Sequence, residues 1–251
     1  MTNKESSTTS ITRRPLLALA TATVLAAAFI MTPATGLADE VESSLARGGK
    51  LYDKWYEVVG AEVPLQSHPA YPVGKKQADK PKNNWRCKEC HGWDYMGKDG
   101  AYSEGKHSTG IKGINGMKGA DMTKIIEILK DQNHMYGDKM EAADLQDLAN
   151  FVSNGQVNMD DHIDRATKMA KGDKDKGAAY FNTICIGCHS KDGTKPKDME
   201  KALGAQMGNP WEVMHKIMNG QPDESMPALR ALDRQIVQDI LAHMTTLPKE
   251  K

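Results

Sequence analysis

The chain has 251 residues, of which 39% are hydrophobic and 26% charged, the composition of an ordinary soluble protein with room for one large or two small domains. Its 33 basic residues balance 33 acidic ones, and nothing in that balance points to nucleic acid or an anionic membrane surface as partner. Aromatic residues make up only 6%, so a small domain built from this chain has a thin core of the kind that leans on a metal or cofactor.

Residues 1–38 read as an export signal. Arg13 and Arg14 precede the apolar run Leu16–Ile30, and small residues at Gly36 and Ala38 mark a cleavage site after Ala38. The run is short for a membrane span; only an uncleaved segment would anchor the chain to a membrane. Lys4, Glu5, Arg13 and Arg14 leave with the signal, so residues 39–251 carry 30 basic and 32 acidic residues.

The stretch "SLARGGKLYDKWYEVVG" from Ser44 is an opening helix, with Leu51, Tyr52, Trp55 and Tyr56 available to pack. Residues 61–84 are rich in Pro and Lys with little periodicity, and read as a surface loop. "WRCKECHGW" follows, then a glycine-rich stretch over 92–119. "ADMTKIIEILKD" is a helix with Ile125, Ile126, Ile128 and Leu129 as its apolar residues. "EAADLQDLANFVSNG" is the next, with Leu145, Leu148, Ala149 and Val152 facing in and Asn154-Gly155 ending it.

Residues 156–172 read as a partly helical linker. Beyond it, an amphipathic helix with Gly177, Tyr180 and Phe181 leads into "TICIGCHS". Asn209 and Pro210 form an N-cap and first-turn signal for "WEVMHKIM", which stops at Asn219-Gly220. "QPDESMPAL" precedes a last helix from about Asp233 to Met244, with Ile236, Val237, Ile240, Leu241 and Met244 at helical spacing.

All four cysteines sit in two identical patterns: Cys87, Cys90, His91 and Cys185, Cys188, His189. Export permits disulfides, four thiols could share one zinc ion, and a redox disulfide needs only Cys-x-x-Cys. None of these explains a histidine directly after each pair. Haem attachment does: two thiols at this spacing meet the two porphyrin vinyl groups, and the next residue ligates the iron through an imidazole nitrogen.

With these motifs and the order helix, Cys-x-x-Cys-His, loop, helix, Met-Pro loop, helix, residues 44–248 resemble dihaem c-type cytochromes built from two class I cytochrome c domains. The resemblance implies an all-α fold of two tandem domains, 39–155 (with the inserted loop 61–84) and 173–251, joined by the linker 156–172. It implies two covalent haem c groups held by Cys87, Cys90, Cys185 and Cys188, with His91 and His189 on the irons. The closing helix of each domain would pack across its first helix. Met226, followed by the stiffening Pro227, would ligate the second iron opposite His189. The first half has no Met-Pro. Aligning "LQDLANFV" from Leu145 with "VQDILAHM" from Val237 brings His134 onto Met226 and Met135 onto Pro227, so "NHMYG" is the ligand loop. Position favours His134 as the ligand, with Met135 as the alternative and His107 as an outside candidate. The glycines of 92–119 suit a tight loop around a cofactor edge. His68, His162, His215 and His243 read as loop, linker, core or surface residues, and Trp85, Trp93 and Trp211 as packing around the haems or between helices.

Iron with both axial positions filled passes electrons and leaves no place for substrate. The expectation is therefore a periplasmic electron carrier without enzymatic activity or small-molecule substrate, serving redox partner proteins. The alternative is a dihaem enzyme such as a peroxidase or thiosulfate dehydrogenase. It is weakened by the lack of a free cysteine for a distal thiolate and by a chain short for a dihaem peroxidase.

Overall fold

The computed structural model of the chain describes residue 1, residues 34–197 and residues 199–251; the export segment falls mostly on residues 2–33, outside the described residues. Among the described residues the protein is helical, with no strand and only two isolated bridges, Gly97 with Lys112 and Ile163 with Ala170. None of these helices is long and apolar enough to cross a membrane. Residues 35–251 form one compact unit.

The helices in chain order are α1 (Ala34–Val59), α2 (Pro81–Asn84), α3 (Cys87–His91), α4 (Met122–Lys130), α5 (Ala142–Asn150), α6 (Lys174–Ile184), α7 (Ile186–His189), α8 (Leu203–Gln206), α9 (Pro210–Asn219) and α10 (Arg234–Met244). α1 departs from helical dihedrals at Lys54 (φ −154°, ψ 73°). α5 runs on into a π turn, Phe151–Gly155. Asp121, Asp173 and Asp233 cap α4, α6 and α10 by accepting backbone N–H bonds from the first turn. α9 starts at Pro210 as expected, but the Asn209 side chain does not cap it; its amide donates to Glu212 instead (3.0 Å). On α4, Ile125 and Leu129 are buried, whereas Ile128, a little over a quarter of a turn round from Leu129, is 38% exposed.

One packing device occurs twice. A Cβ on Gly48 would lie 2.1 Å from the Asp147 carbonyl oxygen of α5, and a Cβ on Gly177 would lie 1.9 Å from the Asp239 carbonyl oxygen of α10. Both opening helices thus touch the closing helix backbone-to-backbone through a glycine, as the expected packing of first against last helix requires. Arg47 reinforces the first crossing through Asp147 (2.9 Å) and Asp144. The Asp239 carboxylate reinforces the second by accepting the Asp173 N–H (2.8 Å).

Gly49, next to Gly48, faces another helix. A Cβ there would lie 2.3 Å from the Asn219 side chain, so α1 touches α5 with one glycine and α9 with the next. His215 of α9 is wholly buried at this junction. Its Nε2–H donates to the Gly49 carbonyl (2.9 Å), which leaves Nδ1 to accept the Tyr95 hydroxyl (2.8 Å) and fixes the neutral tautomer. Tyr52, Trp93, Tyr95 and Phe151 ring this imidazole. Nearby, Asp53 is buried between Arg86 and Lys216, and Arg230 donates to the Gly155 carbonyl (2.7 Å).

The segments read as loop and linker are packed. Within 61–84, His68, Tyr71, Gln77 and Asn84 are buried; within 156–172, Met159 and Ile163 are. Composition marks such stretches as irregular, but their buried side chains recur at no helical or strand period and escape pattern reading.

Candidate haem site

The first Cys-x-x-Cys-His occupies α3, which follows the short α2 after Trp85 and Arg86. Arg86 fixes the approach by donating to the Asp53 carbonyl (2.7 Å) and carboxylate. None of the four cysteines is in a disulfide. Burial pushes the Cys87 and Cys90 thiols up to about 12 and Cys185 up to about 11. Among the described residues no three His, Cys, Asp or Glu side chains gather as a metal group, so the four thiols do not form one tetrahedral site.

His91 ends α3 and its Nδ1–H donates to the Lys112 carbonyl (2.7 Å). The glycine-rich stretch delivers that carbonyl. Its two arms cross so closely that a Cβ on Gly113 would lie 2.1 Å from the Tyr95 oxygen, and Lys112 bridges Gly97 beside the crossing. Burial pushes the His91 pKa down to about 4, so the imidazole is neutral. With Nδ1 protonated and bonded, the free lone pair is on Nε2, the usual arrangement of a metal-binding histidine.

His134 stands opposite. The ring centroids of His91 and His134 are 6.3 Å apart and their planes differ by 13°. Two metal–nitrogen bonds of about 2 Å in line, with a ring radius of about 1.1 Å at each end, span about 6 Å, so the gap admits one metal ion between the rings. His134 Nδ1–H donates to the Asp131 carboxylate (3.1 Å), which also accepts the His134 and Asn133 backbone N–H groups (2.9 and 2.8 Å). Nε2 is again the nitrogen left for a metal. Met135, the other residue of the loop considered as ligand, is 41% exposed and has left-handed backbone (φ 59°). His107 is elsewhere, stacked on Tyr102 (5.1 Å) and bonded to Lys76 and Glu89.

The His134 loop is tied to the segment just before the first motif. Tyr136 donates its hydroxyl to the Trp85 carbonyl (2.8 Å), which also accepts the Trp55 indole N–H (3.0 Å). His68 packs edge-on against Trp85 (4.3 Å) and reaches the His134 carbonyl (3.2 Å). Asp131, three residues before His134, is legible as an Asx-type turn signal. His68 carries no such local signal, because its partner lies 66 residues away.

The second motif spans the end of α6 and the turn α7, with Cys185 and His189 half-buried and Cys188 exposed. Lys195 donates to the Gly187 carbonyl inside the motif (2.5 Å). Met226 lies in the loop between α9 and α10, half-buried against the core. Residues 172–244, which hold α6 to α10, this motif and Met226, match the family model of cytochrome c oxidase, cbb3-type, subunit III. This segment is a cytochrome c domain. A cytochrome c domain implies covalently bound haem c and haem-based electron transfer. No curated protein matches the chain. The first motif and its facing histidines lie outside the matched cytochrome c domain.

Proposed function

We propose that the chain is a dihaem c-type cytochrome of two tandem cytochrome c domains, exported by residues 1–38, which passes electrons between redox partner proteins in the periplasm. The observation that carries this reading is the pair of parallel imidazoles, His91 and His134, 6.3 Å apart with each Nδ1 already bonded. The repeated glycine crossing, Gly48 on Asp147 and Gly177 on Asp239, supports a duplicated domain; the two aspartates are equivalent in the alignment of the closing helices.

On this reading Cys87 and Cys90 would hold the first haem through their thiols, and His91 and His134 would offer it their Nε2 nitrogens. Cys185 and Cys188 would hold the second, with His189 and Met226 as the residues that would bind its iron. When bound, each haem iron supplies a one-electron couple. The protein's residues would bind the irons and set their potentials. If all four of these histidine and methionine side chains bind iron, no place would be left for a substrate, and a carrier rather than an enzyme follows.

The test is a potentiometric titration of the holoprotein with a low-temperature spectrum of each haem. A thioether ligand favours ferrous iron more than a second imidazole does. The titration is therefore expected in two separated steps, the Met226 haem reducing first and alone showing the weak red absorption of a ferric iron–sulfur bond. The reduced protein should bind carbon monoxide poorly. Methionine ligation at both irons would replace His134 by Met135, and fast carbon monoxide binding at either iron would overturn the carrier reading.

A further inference from the structure

We infer that His68, carried by the segment 61–84, is a positioning residue that clamps the His134 loop over the first haem site; the inference rests on the bis-histidine reading of that site. The ring of His68 has a fixed tautomer. Its Nδ1 accepts the Ala70 backbone N–H (3.2 Å), so Nε2 carries the proton and donates it to the carbonyl of His134 (3.2 Å). Nothing about the ring is left to chance on its other sides. It is buried, set edge-on to Trp85 at 4.3 Å, and tilted against Tyr136 at 6.1 Å.

The segment behind His68 is itself held. The His68 N–H donates to the Asn84 side chain (2.9 Å), whose amide donates to the carbonyls of Gln77 (2.9 Å) and Ala78 (3.1 Å). The Trp85 indole donates to the Gln66 carbonyl (2.7 Å). These bonds join the segment to Asn84 and Trp85, immediately before Cys87. The chain thus leaves α1, folds over the ligand loop, and returns to the haem-binding cysteines. Asp131 holds the His134 ring and its backbone N–H, whereas His68 holds the carbonyl of the same residue. The two controls act on different atoms of the same residue.

The experiment compares wild-type holoprotein with His68→Phe, which keeps a ring against Trp85 but cannot donate, and His68→Gln, which can. Carbon monoxide affinity of the reduced first haem reads how readily His134 leaves the iron; the second haem serves as the internal reference. Loss of one hydrogen bond of ordinary strength should raise that affinity about fivefold in His68→Phe, with a shift in the first haem's potential, no change at the second haem, and substantial recovery in His68→Gln. Unchanged carbon monoxide affinity and potential in His68→Phe would overturn the inference, as would equal changes in His68→Phe and His68→Gln. His68→Leu carries the same comparison should His68→Phe fail to accumulate. If wild-type protein lacks a bis-histidine spectrum, the ligand assignment itself fails, and that result is distinct from a null effect of His68.

Discussion

Replacing Gly177 by Ala tests the packing that frames the cytochrome c domain, residues 172–244. A Cβ there would meet the carbonyl oxygen and carbon of Asp239 at 1.9 and 2.5 Å, and the Cβ of His243 at 2.9 Å. The first two are backbone atoms of α10 and cannot rotate aside, so α6 and α10 must separate by more than an ångström. Alanine gains about 0.8–1.0 kcal/mol over glycine in helix propensity. Overpacking typically costs about 1–3 kcal/mol, and a rigid obstacle belongs at or above the top of that range. The net expectation is a loss of about 2 kcal/mol. Denaturant unfolding of the holoprotein, followed by near-ultraviolet circular dichroism, measures it. Gly48→Ala should behave alike, since its Cβ would meet the Asp147 oxygen at 2.1 Å and the Phe151 Cβ at 2.6 Å. Gly116 has nothing within 4 Å of its ideal Cβ, so Gly116→Ala should stay within about 0.5 kcal/mol of wild type. A Gly177→Ala protein as stable as wild type would refute the backbone-to-backbone crossing.

Two further outcomes are expected. Acid acetone should extract no haem from wild-type protein, and loss of both cysteines of either motif should release that motif's haem alone; stoichiometric zinc in place of haem would contradict the attachment. Stability should also depend on pH with a definite sign. Burial pushes the His215 pKa from 6.5 down to about 4, so the unfolded chain takes the proton first, and about 3 kcal/mol should be lost as pH falls through that window. Further loss should follow at lower pH. Burial alone would raise the Glu89 carboxyl, but His107 and Lys88 hold it down at about 2; Lys216 and Arg86 likewise hold Asp53 well below the usual carboxylate range despite its burial. Unfolding free energies that stay level between pH 6.5 and about pH 4 would show that His215 is not held neutral.

The helices were legible because their signals are local. Asp121, Asp173 and Asp233 cap the helices that follow them, Gly220 ends α9, and Leu145, Leu148 and Ala149 recur at helical spacing. The motif cysteines and histidines were legible for the same reason. What escaped is held by contacts between distant residues. His215 looked like any helix histidine, yet its partners are Gly49 and Tyr95, 166 and 120 residues away. Residues 61–84 looked like a solvated loop because Pro and Lys dominate, yet four of their polar or aromatic side chains are buried. Ile128 is one of the apolar residues of α4, and composition alone does not tell that it is 38% exposed while Ile125 and Leu129 are buried.

If His134 and Met226 are the iron ligands, the two halves solve one mechanical problem differently, and that difference accounts for the segment 61–84 in only one of them. A loop that presents a ligand across a haem must be stiff. In the second half Pro227 follows Met226, and its fixed φ and missing N–H restrict the loop covalently. The equivalent position after His134 is Met135, whose backbone is left-handed at φ 59°, a conformation proline cannot adopt. The first half therefore needs restraint from outside the loop. Asp131 supplies it to the His134 ring and backbone N–H, Tyr136 ties the end of the loop to Trp85, and His68 reaches in from 61–84 to the remaining carbonyl. On this reading the packed segment 61–84 does for the histidine ligand what a single proline does for the methionine.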